Sequence, residues 1–262
     1  MMRKADFHTH TTFSDGRGTV RQVVETASTL GIDVLAITDH YDPNDFRPSI
    51  SNLTEEALLA HFEEIRALGQ EFGITVLCGV ETTPLPSGML AMRSPLIEAC
   101  DVLITSCHYL PFEGDIEPGV FFNDRYWDMY KEFMLMMAAG PGQILGHCED
   151  YLPIERFIEG LETTYDERRS ICRRIVERYL DRAYIEALGH ALLATDKACE
   201  LHCATKTPRP WVIQQLADMN VRFTPGSDSH GLGTVGKTEW AYTMAQEVKG
   251  YLCTGKEDLY GR

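Results

Sequence analysis

Short runs of β-branched and apolar residues alternate along the chain with longer segments in which apolar residues recur every three or four positions. The short runs predict buried strands, and the longer segments predict amphipathic helices. The seven predicted strands cover residues 5–10, 34–38, 75–80, 102–106, 144–147, 198–202 and 222–224. The main predicted helices cover residues 20–30, 54–72, 123–139, 166–182 and 211–219.

Strands that alternate with helices in this way indicate repeated βα units around a parallel sheet. The 262 residues contain no repeat and no linker-like tract, so we expect one α/β domain, shaped as a barrel, over residues 1–262. Residues 110–124 and 149–164 interrupt the alternation of predicted strands and helices and are expected to form loops. At the carboxyl end of a barrel such loops contact substrate, although ordinary surface loops have the same composition.

The charge balance narrows the class of partner. The chain has 24 Lys and Arg against 39 Asp and Glu, a net charge of -15, which disfavours extended nucleic acid and anionic membranes. A small anionic substrate is compatible with this charge, because bound cations reverse the local potential of a carboxylate cluster. The amino terminus lacks a signal-peptide pattern, and no run reaches the roughly 20 apolar residues of a membrane span, so we expect a cytoplasmic protein.

Potential metal ligands follow six of the seven predicted strands. In chain order they are His8 and His10, His40, Glu81, His108, His147, and Asp228 with His230. Each residue alone has an ordinary structural explanation as a hydrogen-bonded histidine or a cap. Parallel strands end at one edge, however, so the set predicts a shared site for Zn, Mn or Fe. Asp15 precedes a glycine and is either a further ligand or a plain turn residue.

The strings HTHTTFSDG, ITDH, GVE, SCHYL, LGH and GSDSH, in this order, resemble the polymerase-and-histidinol-phosphatase (PHP) family of metal-dependent phosphoesterases. The resemblance covers nearly the whole chain. It implies a distorted seven-stranded (β/α)7 barrel, similar to a TIM barrel, with two to three divalent transition metal ions. It further implies a first ion held by His8, His10, Glu81 and Asp228, a second by Glu81, His108 and His147, and a third by Asp15, His40 and His230.

The segments HYLPFEGD, LGHCED and CELHCATKTPRP make the histidinol-phosphatase branch the most similar one. The chain departs from that branch in two places. His202 lies where Asn is usual. Glu149, followed by Asp150, lies where the branch usually has an Asp two residues after the histidine of its GH motif. The expected activity is hydrolysis of a small phosphomonoester, as in histidine biosynthesis. A phosphodiesterase, a nucleotide phosphatase and a non-catalytic metal-binding barrel are the alternatives, and nothing in the sequence indicates an oligomeric state.

A metal-bound water is the expected nucleophile, because clustered divalent ions both ionise water and neutralise phosphate. Asp39, beside the ligand His40, is expected to support that histidine or to assist proton transfer. Candidates for substrate binding are Lys206, Arg209, Arg156 and His202. The competing interpretation of the three cationic residues is ordinary solvated loop charge.

Overall fold

The computed structural model describes residues 3–45 and 47–260. In this part of the chain seven parallel strands form one sheet, in which each strand pairs with the next along the sequence. The strands are β1 Ala5–Asp6, β2 Val34–Ile37, β3 Thr75–Thr82, β4 Val102–Thr105, β5 Ile144–Leu145, β6 Ala198–His202 and β7 Phe223–Gly226. β1 meets β7 through Thr9, which bridges Ser229 in parallel. The sheet is therefore a nearly closed barrel, as the sequence predicts.

Nine α-helices accompany these strands within the described residues: α1 Val20–Thr29, α2 Pro48–Ser51, α3 Glu55–Phe72, α4 Ser94–Ala99, α5 Asp124–Ala138, α6 Tyr165–Tyr179, α7 Arg182–Ala194, α8 Pro210–Asp218 and α9 Glu239–Glu247. The predicted helix over 166–182 extends too far. α6 ends because Leu180 leaves the helical conformation, and the side chain of Asp181 accepts a hydrogen bond from the amide of Tyr184 to begin α7. The result is one α/β domain.

Alternation along β2 shows how the fold divides its side chains between two environments. Val34 and Ala36 belong to an apolar cluster with residues of the other strands, whereas Leu35 and Ile37 pack in a second cluster with α1 and α3. The first cluster fills the interior of the barrel. Because successive side chains on a strand point to opposite faces, the chain that continues beyond β2 sends His40 inward.

Among the described residues, no helix combines the length and the apolar composition that a membrane crossing needs. The two expected loops are present, since residues 110–123 have no regular structure and residues 149–164 contain only the short 3-10 turn Glu155–Phe157. Both segments reach the carboxyl end of the barrel, where the candidate site lies.

Candidate metal centre

Nine predicted ligands come together at the carboxyl edge of the barrel. Glu81 is part of β3, and the others follow strands β1, β2, β4, β5 and β7: His8, His10, Asp15, His40, His108, His147, Asp228 and His230. His8 and His10 lie beyond the short strand β1, but their rings remain neighbours with centroids 5.0 Å apart. The sequence thus identifies a set of side chains that the fold brings into one pocket.

Glu81 lies at the middle of this pocket and is almost fully buried. Its Oε2 is 3.2 Å from His8 Nε2 and 3.1 Å from His40 Nδ1. Its Oε1 is 3.2 Å from His108 Nε2 and 2.9 Å from His147 Nε2. The two carboxylate oxygens therefore face different groups of imidazoles, which is the arrangement that a carboxylate bridging two cations requires.

Two further carboxylates flank the centre. Asp228 Oδ1 lies 3.2 Å from His10 Nε2 and 3.4 Å from His230 Nδ1. Asp15 Oδ1 lies 3.2 Å from His230 Nε2 and 3.5 Å from His40 Nε2. These contacts place Asp15 with the two histidines that the family resemblance groups with it.

Three groups of donor atoms, each within 4.8 Å of one another, are compact enough to hold a cation. They are His8, His10 and Glu81; His40, Glu81 and His108; and His10, Asp15, His40 and His230. This grouping differs from the expected sets in four details. His40 joins the second group and His10 joins the third, whereas Asp228 is absent from the first group and His147 from the second. The groups overlap at His10, His40 and Glu81, so the centre is continuous.

Several donor atoms in the pocket are buried and have no hydrogen-bond partner among residues 3–45 and 47–260: His8 Nε2, both ring nitrogens of His10, His40 Nδ1 and Asp15 Oδ1. Buried polar atoms without a partner are costly and rare in folded proteins. Neutral imidazole nitrogens and carboxylate oxygens are also the ligands that Zn, Mn and Fe accept. The residues present therefore fit divalent transition metal ions.

The electrostatics of the pocket favour metal-binding forms of Glu81, His10 and His40. Against the effect of burial, nearby carboxylates instead raise the pKa values of His8, His147 and His230. Burial raises the pKa of Glu81, but the nearby His8, His108 and His40 outweigh burial and hold that pKa well below its ordinary value. Burial, reinforced by neighbouring imidazoles, lowers the pKa values of His10 and His40. The carboxylate is thus ionised and these two imidazoles are neutral near pH 7.

Glu200 is a supporting residue that the sequence analysis missed. Its Oε1 lies 2.7 Å from His8 Nδ1, and its Oε2 accepts a 2.8 Å hydrogen bond from the amide of His147. A carboxylate on the second nitrogen of a ligand histidine fixes the ring and its tautomer. The signal was present in β6, because Ala198, Glu200 and His202 alternate onto the barrel interior, where a carboxylate needs a partner.

His202 and Asp39 also lie behind the ligands. His202 is completely buried, with Nε2 3.0 Å from Asp228 Oδ2 and Nδ1 2.6 Å from the hydroxyl of Thr205. Asp39 faces outward from the barrel and accepts hydrogen bonds from Thr11 and Ser14. His202 thus contacts the candidate ligand Asp228 directly. Asp39 instead holds the segment between His10 and Asp15, and not the ring of His40 that it was expected to support, because it lies on the opposite face of the chain from His40.

The cationic candidates for substrate binding lie apart from the ligands. Arg209 pairs with Glu149 at 2.6 Å and donates to the carbonyl of Leu180, and Arg156 donates to the carbonyls of Phe112 and Gly114. Lys206 is exposed. A cavity of about 240 Å³ opens over the metal ligands, and its lining residues are His40, Arg47, Glu81, His108, His147, Tyr151, Glu155, Asp228 and His230. None of Arg156, His202, Lys206 and Arg209 is among them.

A second cavity, of about 390 Å³, adjoins the first one and shares His108 and Glu155 with it. Its other lining residues are Tyr109, Leu110, Tyr126, Pro153, Arg156 and Glu159. These residues come from the two loops that the sequence analysis expects over the active face. The metal ligands are therefore continuous with a partly apolar space large enough for the organic part of a small substrate.

Fold and site together define a metal-binding α/β barrel whose ligands follow its parallel strands. The family model for the PHP domain matches residues 6–190, and the chain therefore belongs to the PHP domain family. Family membership and the clustered imidazoles and carboxylates support a metal-dependent phosphatase.

Curated relatives match different extents of the chain. A probable phosphatase of Acetivibrio thermocellus is 25% identical over 248 residues, which are 93% of this chain and 86% of that protein. The DNA polymerase/3'-5' exonuclease PolX of Bacillus subtilis is 36% identical over 106 residues, which are 40% of this chain and only 18% of that protein. The chain thus spans most of the first relative and a small part of the second.

Among solved structures, the histidinol phosphate phosphatase of Lactococcus lactis has a similar fold. It superimposes with a TM-score of 0.65 at 20% identity, over 96% of each chain. That protein was solved with zinc, L-histidinol and phosphate.

Proposed function

We propose that this protein hydrolyses a small phosphomonoester at a centre of up to three divalent transition metal ions, and that histidinol phosphate is the first substrate to test. The observation that carries this proposal is the position of Glu81: its Oε2 faces the imidazoles of His8 and His40, and its Oε1 faces those of His108 and His147. Among the described residues, His8 Nε2 and His40 Nδ1 have no hydrogen-bond partner. Such an arrangement stabilises two neighbouring cations. No purely structural role explains so many buried, unpartnered ring nitrogens.

The proposed ligand sets are those that the family resemblance implies. His8, His10, Glu81 and Asp228 would hold one ion; Glu81, His108 and His147 a second; Asp15, His40 and His230 a third. When bound, the ions would supply an ionised water at neutral pH and positive charge next to the phosphoryl oxygens.

The protein's own contribution is orientation and exclusion of water. Glu200 holds the ring of His8, and His202 holds one oxygen of Asp228 so that the other oxygen faces His10. The ring of Tyr151 stands edge-on to His147, with centroids 5.6 Å apart, and limits access from that side. A rigid pocket of this kind positions a phosphate ester without a protein nucleophile.

The choice of histidinol phosphate is supported by two observations. The second cavity offers tyrosine rings and the carboxylates of Glu155 and Glu159 to a leaving group that carries an amine. The structurally similar Lactococcus lactis protein was solved with L-histidinol and phosphate. We therefore place the phosphoryl group over the metal ligands and the organic group in the second cavity.

A substrate panel tests this proposal. Chelated protein should be reconstituted with Mn, Zn or Fe and given histidinol phosphate, nucleoside monophosphates, p-nitrophenyl phosphate and bis-p-nitrophenyl phosphate. We expect metal-dependent release of phosphate from the monoesters and little cleavage of the diester. The variant Glu81→Ala should lose activity by at least about 1,000-fold, because the bridging carboxylate is lost, whereas His190→Ala, on the exposed surface of α7, should retain it.

The outcomes separate the alternatives. Faster cleavage of the diester than of the monoesters would make the protein a phosphodiesterase. Preference for a nucleoside monophosphate would make it a nucleotide phosphatase. Stoichiometric metal binding without hydrolysis of any ester would contradict the proposal and favour a non-catalytic metal-binding barrel.

A further inference from the structure

The cavity over the metal ligands contains one permanently charged cation among its described lining residues, the guanidinium of Arg47. The same lining carries the carboxylates of Glu81, Glu155 and Asp228, while Asp15 lies at its edge beside His230. A phosphate ester that approaches this pocket meets negative charge on the protein. Arg47 therefore occupies the position from which a side chain can attract the phosphoryl oxygens.

The guanidinium is held in a defined plane. Its Nε and Nη2 donate to the two carboxylate oxygens of Asp45 at 3.0 and 2.9 Å. Asp45 is itself buried, and its amide donates to the carbonyl of Asp42. Because a buried carboxylate anchors this fork, the guanidinium keeps its place in the lining of the cavity with little further loss of side-chain freedom.

Arg47 also contacts a candidate metal ligand. Its Nη1 donates to Asp15 Oδ2 at 2.9 Å, while Asp15 Oδ1 faces His40 and His230. One carboxylate thus joins Arg47 to the third group of metal ligands. A cation held by Asp15 would draw the carboxylate charge toward itself and leave the charge of Arg47 less compensated, which favours an anionic substrate.

We propose that Arg47 contacts the phosphoryl group and acts as its binding residue, in addition to the metal ions. This inference rests on the proposed function, because it takes a phosphate ester as the substrate. It assigns to the loop after β2 the role that the sequence analysis gives to Arg209 and Lys206 in the loop after β6. Arg209 is engaged by Glu149 instead and lies over the ring of Trp211.

The experiment measures binding of inorganic phosphate to the metal-loaded protein by calorimetry, with metal content determined for each variant. We expect Arg47→Ala to bind phosphate about 10- to 100-fold more weakly at unchanged metal content, since one charge-assisted contact is lost. Arg47→Lys keeps the charge but lacks the fork, and it should fall between Arg47→Ala and the unmodified protein. The matched control is Arg21→Ala, which removes an exposed arginine paired with Glu71 outside the cavity and should bind phosphate normally.

Three results would overturn the inference. Unchanged phosphate affinity in Arg47→Ala, or no phosphate binding by the unmodified protein, would show that Arg47 makes no such contact. Loss of one metal ion in parallel with phosphate binding would show that Arg47 only positions Asp15. Failure of the proposed function is distinguishable, because the protein would then bind phosphate through Arg47 and yet hydrolyse no ester.

Discussion

His61 Nε2 lies 3.0 Å from Asp39 Oδ2, and this contact joins α3 to the turn that carries Asp15. Asp39 also accepts hydrogen bonds from the amide and hydroxyl of Thr11 and from the hydroxyl of Ser14. The ring of His61 stacks on Phe13 with centroids 4.1 Å apart. A helix outside the barrel thus fixes the segment between His10 and Asp15.

Replacement of His61 should weaken this connection. We expect His61→Ala to lower the free energy of unfolding by about 1 to 3 kcal/mol, because the buried carboxylate of Asp39 loses a hydrogen-bond donor. It should also lower the occupancy of the third metal site, while His61→Gln, which offers an amide donor, should restore part of both. Urea denaturation and metal analysis would measure these effects, with His190→Ala as the control.

A drop in stability with full metal occupancy would contradict the positional role and leave His61 as a packing residue only. Equal effects of His61→Ala and His190→Ala would contradict both parts of the prediction, because His190 is exposed on α7.

Periodicity predicted the ends of β2 to β7 to within two residues, but β1 ends at Asp6, before the predicted end at His10. The same periodicity explains the different roles of Asp39 and His40. The barrel-facing positions of β2 run through Val34 and Ala36, and the same alternation sends His40 inward and Asp39 toward α3. The convergence of these histidines could be predicted because parallel strands end at one edge, so a residue's place after a strand determines its place in space.

Other parts of the site depend on information that local sequence patterns do not contain. Arg47 lies in a loop whose path is set by tertiary contacts with Asp15 and Asp45, so no periodicity directs it to the cavity. Arg209 follows the expected strand β6, but its guanidinium pairs with the buried carboxylate of Glu149 and does not line the cavity over the candidate ligands. The short helices α2 and α4 have too few turns to show a helical pattern.

Glu200 should affect metal affinity through His8. We expect Glu200→Gln to weaken metal binding about 10- to 100-fold, because the amide supports the ring of His8 less strongly than the carboxylate. Titration of the chelated protein with Zn or Mn would measure this change. Glu186→Gln, an exposed carboxylate on α7, provides the control, and equal metal affinities of the two variants would contradict the prediction.

Removal of metal should destabilise the fold. The ions would bind a buried set of donors that exists only in the folded chain, so each ion would stabilise it by about 3 kcal/mol when the free metal exceeds its Kd 100-fold. We expect a chelator to lower the Tm of the protein by several degrees and excess Mn or Zn to restore it. A Glu81→Ala variant should show a much smaller chelator effect. An unchanged Tm on chelation would argue against an ion at this centre.

Lys197 should make stability depend on pH. Its side chain is buried, and its Nζ lies within hydrogen-bond distance of Thr105 Oγ1 and of the carbonyls of Met137 and Pro141, with no carboxylate among these partners. Burial lowers the pKa of Lys197 from 10.5 to about 7. Between pH 7 and 10.5 the unfolded chain therefore holds a proton that the folded chain has released, so the free energy of unfolding rises with pH in this range.

A comparison of the unmodified protein with Lys197→Met isolates this contribution. Relative to the variant, the unmodified protein should gain roughly 1 kcal/mol of stability per pH unit as the pH rises from 7 to 10. Below pH 7 Lys197 is protonated in both the folded and the unfolded chain, so the difference in stability should no longer change with pH. Urea denaturation of chelated protein at several pH values would measure the difference. The exposed Lys237→Met serves as the control, and a pH-independent difference between the protein and Lys197→Met would show that Lys197 keeps its proton in the folded chain.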